Sequence, residues 1–155
     1  MIGLGNPLSG DDGFGAHVLE QLRPGVSAFP DHTILSDAHT DLLNHIENFS
    51  GYDCVILVDA ILDPDGKLGH PGHIALFNEE AFASWPETSP SVHQVSPLLA
   101  VKLFRLLHPE AKSQITLVGL LVDQISRTPR YATDRMIAEG ASAVRILMQK
   151  SASHF

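Results

Sequence analysis

The sequence predicts a single three-layer α/β domain over residues 1–155, with a mostly parallel, twisted sheet and helices on both faces. Two apolar runs, at residues 54–58 and 115–122, are continuous rather than alternating, which is typical of strands buried on both faces of a parallel sheet. Segments with helical spacing of apolar residues lie between the strand-like segments, as in a layered α/β fold. A chain of 155 residues is long enough for one domain with a sizeable core.

Strands and helices alternate along the first half of the chain. Short apolar runs predict strands at residues 1–4, 33–35 and 54–58. Apolar residues at helical spacing predict helices at residues 14–22 and 41–49. The first helix should stop at Arg23-Pro24-Gly25, and the third strand should end in Asp59-Ala60.

The second half continues the alternation. Strands are predicted at residues 73–77, as an edge strand, and at 115–122. Helices are predicted at residues 79–83, at residues 96–107 and from Thr133 or Asp134 onward. Ser96 is the expected N-cap of the middle helix and Pro97 its first residue. The last helix should turn one apolar stripe inward, formed by Ile137, Ala141, Val144 and Met148.

Composition excludes several classes of protein. The formal charge is −8 with no basic cluster, which argues against nucleic acid and anionic membranes as partners. The single cysteine, Cys54, excludes an internal disulfide and a multi-cysteine zinc site, and its place in an apolar strand indicates core packing. No apolar run approaches the length of a membrane span and no secretory signal is visible, so we expect a cytoplasmic protein.

The most informative stretch is the turn at residues 3–15, which read GLGNPLSGDDGFG. A plain strand-to-helix turn with an aspartate as N-cap explains one carboxylate but not two. A dinucleotide loop is disfavoured because its third glycine falls at Leu8, because Pro7 has no N–H, and because two carboxylates repel phosphate. The remaining interpretation is that the turn presents a carboxylate to a cation or a proton.

The predicted fold brings other polar residues to the same edge of the sheet. Asp11 and Asp12 follow the first strand, Asp59 follows the central strand, and His93 lies in the loop before a helix. In open α/β sheets, ligands bind beyond the carboxyl ends of the strands. Two carboxylates and an imidazole are therefore expected to converge there.

Each of these residues also has a structural alternative. Asp59 is equally suited to bonding a turn amide, and His93 is one of nine histidines, most of which are expected at the surface. His70 and His73 have H-x-x-H spacing around Pro-Gly, but solvent exposure is the better interpretation of this pair.

The pattern Gly-x-Gly-Asn-Pro-Leu-x-Gly-Asp-Asp-Gly-x-Gly resembles the opening motif of the hydrogenase maturation proteases. These endopeptidases remove the C-terminal tail from the large subunit of nickel-iron hydrogenases. The resemblance is also good at Val58-Asp59-Ala60 and at His93-Gln94, and it is diffuse elsewhere.

Matched motif by motif, the resemblance implies that Asp12, Asp59 and His93 contact nickel already carried by the large subunit precursor. The free enzyme is then expected to hold no tightly bound cofactor. The resemblance weakens at residues 37–40, where a Gly/Thr-rich segment is common, and at residues 123–132, which lack the usual Pro/Gly character. These departures put the shape of the substrate groove, and hence specificity, in question.

The chemistry of the three residues leaves several functions open. Two carboxylates and an imidazole suit Ni, Zn, Mn or Fe, and three ligands leave coordination positions free. Either the metal or a carboxylate is suited to activating the attacking water. The alternatives to a nickel-reading protease are a hydrolase with its own permanent metal and a non-catalytic nickel-sensing chaperone of hydrogenase assembly.

Overall fold

A five-stranded sheet lies at the centre of the structure, a computed structural model that describes residues 1–29, 33–39, 41–85 and 96–152, the last without its side chain. The strands are β1 (Ile2–Leu4), β2 (Ser36–His39), β3 (Cys54–Leu62), β4 (Ile74–Asn78) and β5 (Gln114–Val122). Their order across the sheet is β2-β1-β3-β5-β4. All pairings are parallel except that of the edge strand β4, which is antiparallel to β5. The mostly parallel sheet is therefore confirmed.

Helices cover both faces of this sheet. They are α1 (Phe14–Leu22), α2 (Glu79–Ala83), α3 (Pro97–Leu107) and α4 (Asp134–Ala152), with 3₁₀ segments at Gly10–Gly13, Arg23–Ala28 and Leu42–Gly51. One core layer joins α1 and α4 to the sheet, and the other joins α2, α3 and the 3₁₀ segment that precedes β3. The predicted three-layer α/β fold is confirmed.

The central strand β3 is buried on both faces, as its continuous apolar run predicts. Val55, Leu57 and Ile61 belong to the core layer with α3. The alternate residues Ile56, Val58 and Ala60 belong to the layer with α1 and α4. Because β3 pairs with β5 in unbroken register, Asp59 shares the odd-numbered face and points to the side that α3 covers.

Three predicted elements differ from those in the structure. The second strand is Ser36–His39 and not residues 33–35, because backbone pairing with β1 decides it and only Ala38 is buried. The central strand continues past Asp59 to Leu62, because β5 extends beside it. The helix predicted at residues 41–49 is the 3₁₀ segment Leu42–Gly51, whose Leu42, Ile46 and Phe49 are buried.

The expected helix starts are confirmed. The hydroxyl of Ser96 accepts the N–H of Leu99 at 3.2 Å, and Pro97 opens α3. The hydroxyl of Thr133 accepts the N–H of Met136 at 3.3 Å before α4. In the described parts of the chain, no helix combines the length and the apolar character needed to cross a bilayer.

Candidate active site

The turn between β1 and α1 folds back on itself and is closed by glycines. Gly5 has a φ of 99°, and a Cβ there would lie 1.7 Å from the backbone oxygen of Asp12. Gly10 has a φ of 56°, and a Cβ there would lie 2.0 Å from the backbone oxygen of Ser126. Both positions therefore exclude any side chain, for steric and conformational reasons together. The turn is held between β1 and the loop that follows β5.

Two further glycines let α1 lie directly on the sheet. A Cβ at Gly15 would lie 2.3 Å from the backbone oxygen of Val58 and 2.4 Å from that of Leu4. A Cβ at Gly3 would lie 2.6 Å from the backbone oxygen of Gly15. This close approach fixes the start of α1 over β1 and β3, and with it the position of Asp12 three residues earlier.

Asp12 lies in the turn that follows β1, and Asp59 lies in the neighbouring strand β3, beside the carboxyl end of β1. The Gly10–Gly13 segment that carries Asp12 packs against β3. Gly3 pairs with Val58, so Asp59 stands where β1 ends and β3 continues alone on that side. Both carboxylates are almost wholly buried, with 3% of Asp12 and 2% of Asp59 exposed.

A backbone amide orients each of these carboxylates. Oδ2 of Asp12 accepts the N–H of Asn6 at 2.9 Å. Oδ1 of Asp59 accepts the N–H of Ala60 at 2.9 Å. Carboxylate oxygens held in this way are donors of the kind that divalent metal ions accept.

The third predicted residue, His93, lies outside the described residues. Within the parts of the chain that the structure describes, no three His, Cys, Asp or Glu side chains are grouped so that they could hold a metal ion. The grouping of Asp12, Asp59 and His93 thus stays a prediction. The described α3, which begins four residues after His93, covers the face of the sheet to which Asp59 points.

The neighbouring aspartate, Asp11, has a role that the sequence did not reveal. It is fully buried, and its Oδ1 accepts the backbone N–H groups of Arg130, Tyr131 and Ala132 at 2.9, 2.8 and 2.7 Å. It therefore joins the first turn of the chain to the last loop. The plain turn with an aspartate as N-cap does not form, because neither this segment nor α1 has a side-chain N-cap bond. The doubled carboxylate was the only sequence signal for this second role.

Asn6 is a second residue whose contribution was missed. Besides donating its N–H to Asp12, it accepts the N–H of Leu8 through Oδ1 at 2.9 Å. Its backbone oxygen accepts the N–H of Ser9 at 3.0 Å. The side chain thus closes a local turn of the kind that asparagine favours.

The other candidates from the sequence do not form a site. The rings of His70 and His73 meet edge to face with centroids 5.7 Å apart, and both residues are exposed or nearly so. Cys54 is half-buried and packs against the core layer of α1 and α4, as expected for a packing residue.

Comparison with known proteins identifies the fold. No protein-family model and no curated protein matches the sequence. The solved structure of the [NiFe] hydrogenase maturation protease HybD from Thermococcus kodakarensis is 19% identical, and the match covers 95% of this chain and 96% of that one with a TM-score of 0.72. The hydrogenase maturating endopeptidase HybD from E. coli is 21% identical over 97% of this chain and 91% of its own, with a TM-score of 0.71.

A third solved structure, an endopeptidase from Escherichia coli, is 22% identical over 97% of this chain and 91% of its own, with a TM-score of 0.74. The likeness therefore spans nearly the whole chain in each case. The fold is that of the hydrogenase maturation proteases.

Proposed function

We propose that this chain is a hydrogenase maturation endopeptidase, which removes the C-terminal extension from the nickel-loaded large subunit precursor of a nickel-iron hydrogenase. The observation that carries the proposal is the pair of buried carboxylates, Asp12 and Asp59, over neighbouring strands of this fold. The solved proteins that share the fold are named as proteases of this kind. A cytoplasmic location, expected from the sequence, belongs to the same proposal.

The proposal assigns Asp12, Asp59 and His93 to recognition of nickel in the substrate. Carboxylate and imidazole donors suit nickel, and three donors leave positions for groups of the large subunit. An empty precursor offers these donors no metal ion to coordinate, so it binds less well, and the tail is cut only after the metal is loaded.

Peptide cleavage then needs an activated water at the scissile carbonyl. Nickel in the substrate supplies Lewis acidity, and one of the two aspartates is suited to act as general base. The amides of Asn6 and Ala60 hold one oxygen of each carboxylate, so little reorganisation is needed when the substrate arrives. Asp12 and Asp59 thus orient the substrate before the water attacks, and one of them accepts a proton during the attack.

The test compares two preparations of one large subunit precursor from the source organism, one loaded with nickel and one without. Tail removal is followed by mass spectrometry. Cleavage of the loaded precursor alone supports the proposal, and equal cleavage of both contradicts nickel reading. Binding without tail loss favours the chaperone, and a stoichiometric metal in the purified protein favours the hydrolase with a permanent metal. When the same assay is applied to Asp12→Asn and Asp59→Asn, Asp63→Asn is the matched control. Asp63 is also buried, but it accepts two backbone amides of a separate turn.

A further inference from the structure

Leu8 stands at the apex of the turn that carries Asp12. Its exposed fraction is 90%, the highest among the large apolar side chains that the structure describes. Single exposed leucines are common on protein surfaces, so exposure alone decides nothing. The way in which the turn holds Leu8 distinguishes it from the other exposed leucines.

The backbone on both sides of Leu8 is fixed. Asn6 accepts the N–H of Leu8 at 2.9 Å and, through its backbone oxygen, the N–H of Ser9 at 3.0 Å. Pro7 packs so closely on Gly13 that a Cβ at Gly13 would lie 2.9 Å from the Cα of Pro7. These contacts fix the backbone of Leu8, and with it the direction in which its exposed side chain leaves the turn.

The same asparagine couples Leu8 to the candidate active site. The N–H of Asn6 orients the carboxylate of Asp12, while its side chain orients the backbone of Leu8. A protein that brings a metal ion to Asp12 must come close to this apex. The apolar side chain is thus presented, in a fixed position, to whatever occupies the site.

On the basis of the proposed function, we propose that Leu8 is an apolar anchor that inserts into a depression on the folded large subunit precursor, close to its nickel. It contributes to binding of the precursor and not to bond cleavage. Full burial of a leucine side chain changes affinity by roughly 10-fold to 100-fold. Little of this is offset by ordering, because the turn is already rigid.

The test uses Leu8→Ser and the matched control Leu106→Ser. Leu106 is 77% exposed and lies near the C-terminal end of α3. The adjacent Arg105 bonds the segment just before β5, so Leu106 lies near the amino ends of the strands, away from the candidate site. Affinity for the nickel-loaded precursor is measured by biolayer interferometry, and cleavage kinetics are measured in parallel. We expect Leu8→Ser to raise Kd and KM at least about 10-fold. Its kcat and Tm should stay close to those of the wild type, and Leu106→Ser should change none of these.

A Kd for Leu8→Ser within about twofold of the wild type, well below the roughly 10-fold effect of a buried leucine, overturns the inference, as does failure of the wild type to bind the precursor. A wild-type dimer that Leu8→Ser disperses also overturns it, since a second copy is then the partner. Binding that depends on Leu8, without any tail removal, overturns the proposed protease function and leaves the anchor intact. The two failures are therefore distinguishable.

Discussion

Replacing Asp11 with alanine should destabilise the protein strongly, because one carboxylate oxygen accepts three backbone N–H groups. A hydrogen bond to a charged group contributes about 1.5–3 kcal/mol. The N–H of Ala132 is buried and loses its bond fully, whereas water can reach the neighbourhood of Arg130 and Tyr131. We therefore expect a loss of about 3 kcal/mol in the free energy of unfolding, or about 6–12 °C in Tm for a domain of this size.

The measurement is urea unfolding together with amide hydrogen exchange. Exchange at residues 130–132 should accelerate in Asp11→Ala, because those amides lose their acceptor. In the control Asp63→Ala, only the amides of Lys67 and Leu68 lose theirs, so exchange at 130–132 should stay slow. An unfolding free energy within about 0.5 kcal/mol of the wild type, the range of ordinary surface substitutions, would refute the reasoning. Unchanged exchange at 130–132 would refute it equally.

Three further outcomes are expected. Asp12→Asn, Asp59→Asn and His93→Ala should each reduce tail removal at least about 100-fold, since each removes a donor or base; gel mobility of the large subunit measures this, and circular dichroism should show an intact fold. Gly10→Ala should lower the unfolding free energy by more than about 2 kcal/mol, because φ is 56° and the methyl group would meet a backbone oxygen at 2.0 Å; denaturant titration checks it. Arg105→Ala should cost about 2 kcal/mol in the same titration, because its guanidinium makes a bidentate bond to a carboxylate on α2 and two bonds to backbone oxygens.

The sequence predicted those parts of the fold that hydrophobic patterning controls. Strand β3 was recognisable because both of its faces are buried, and α3 because Ser96 and Pro97 mark its start. Strand β2 was misplaced because it has only one buried side chain, Ala38, and owes its existence to pairing with β1. Local patterns cannot show a strand that a neighbour imposes.

The candidate site was predictable to the extent that its residues follow strands. Asp12 follows β1 as predicted, whereas Asp59 lies inside β3, beside the end of β1, because β5 extends the central strand to Leu62. The partners of Asp11 were not predictable, since they are 119 to 121 residues away and are backbone amides, which any sequence supplies. The position of His93 relative to the two aspartates stays a prediction.

The bond between Asp11 and the last loop has a consequence for biosynthesis. The turn at residues 10–13 is made early, but the amides that bind Oδ1 of its buried Asp11 belong to residues 130–132. During translation, that aspartate cannot accept these bonds until residues 130–132 have been synthesised. A product terminated before residue 130 would contain the residues of all five strands yet lack the three amides that bind Asp11. The turn of the candidate site is thus completed only when this loop has been made, although its own residues are among the earliest to be synthesised.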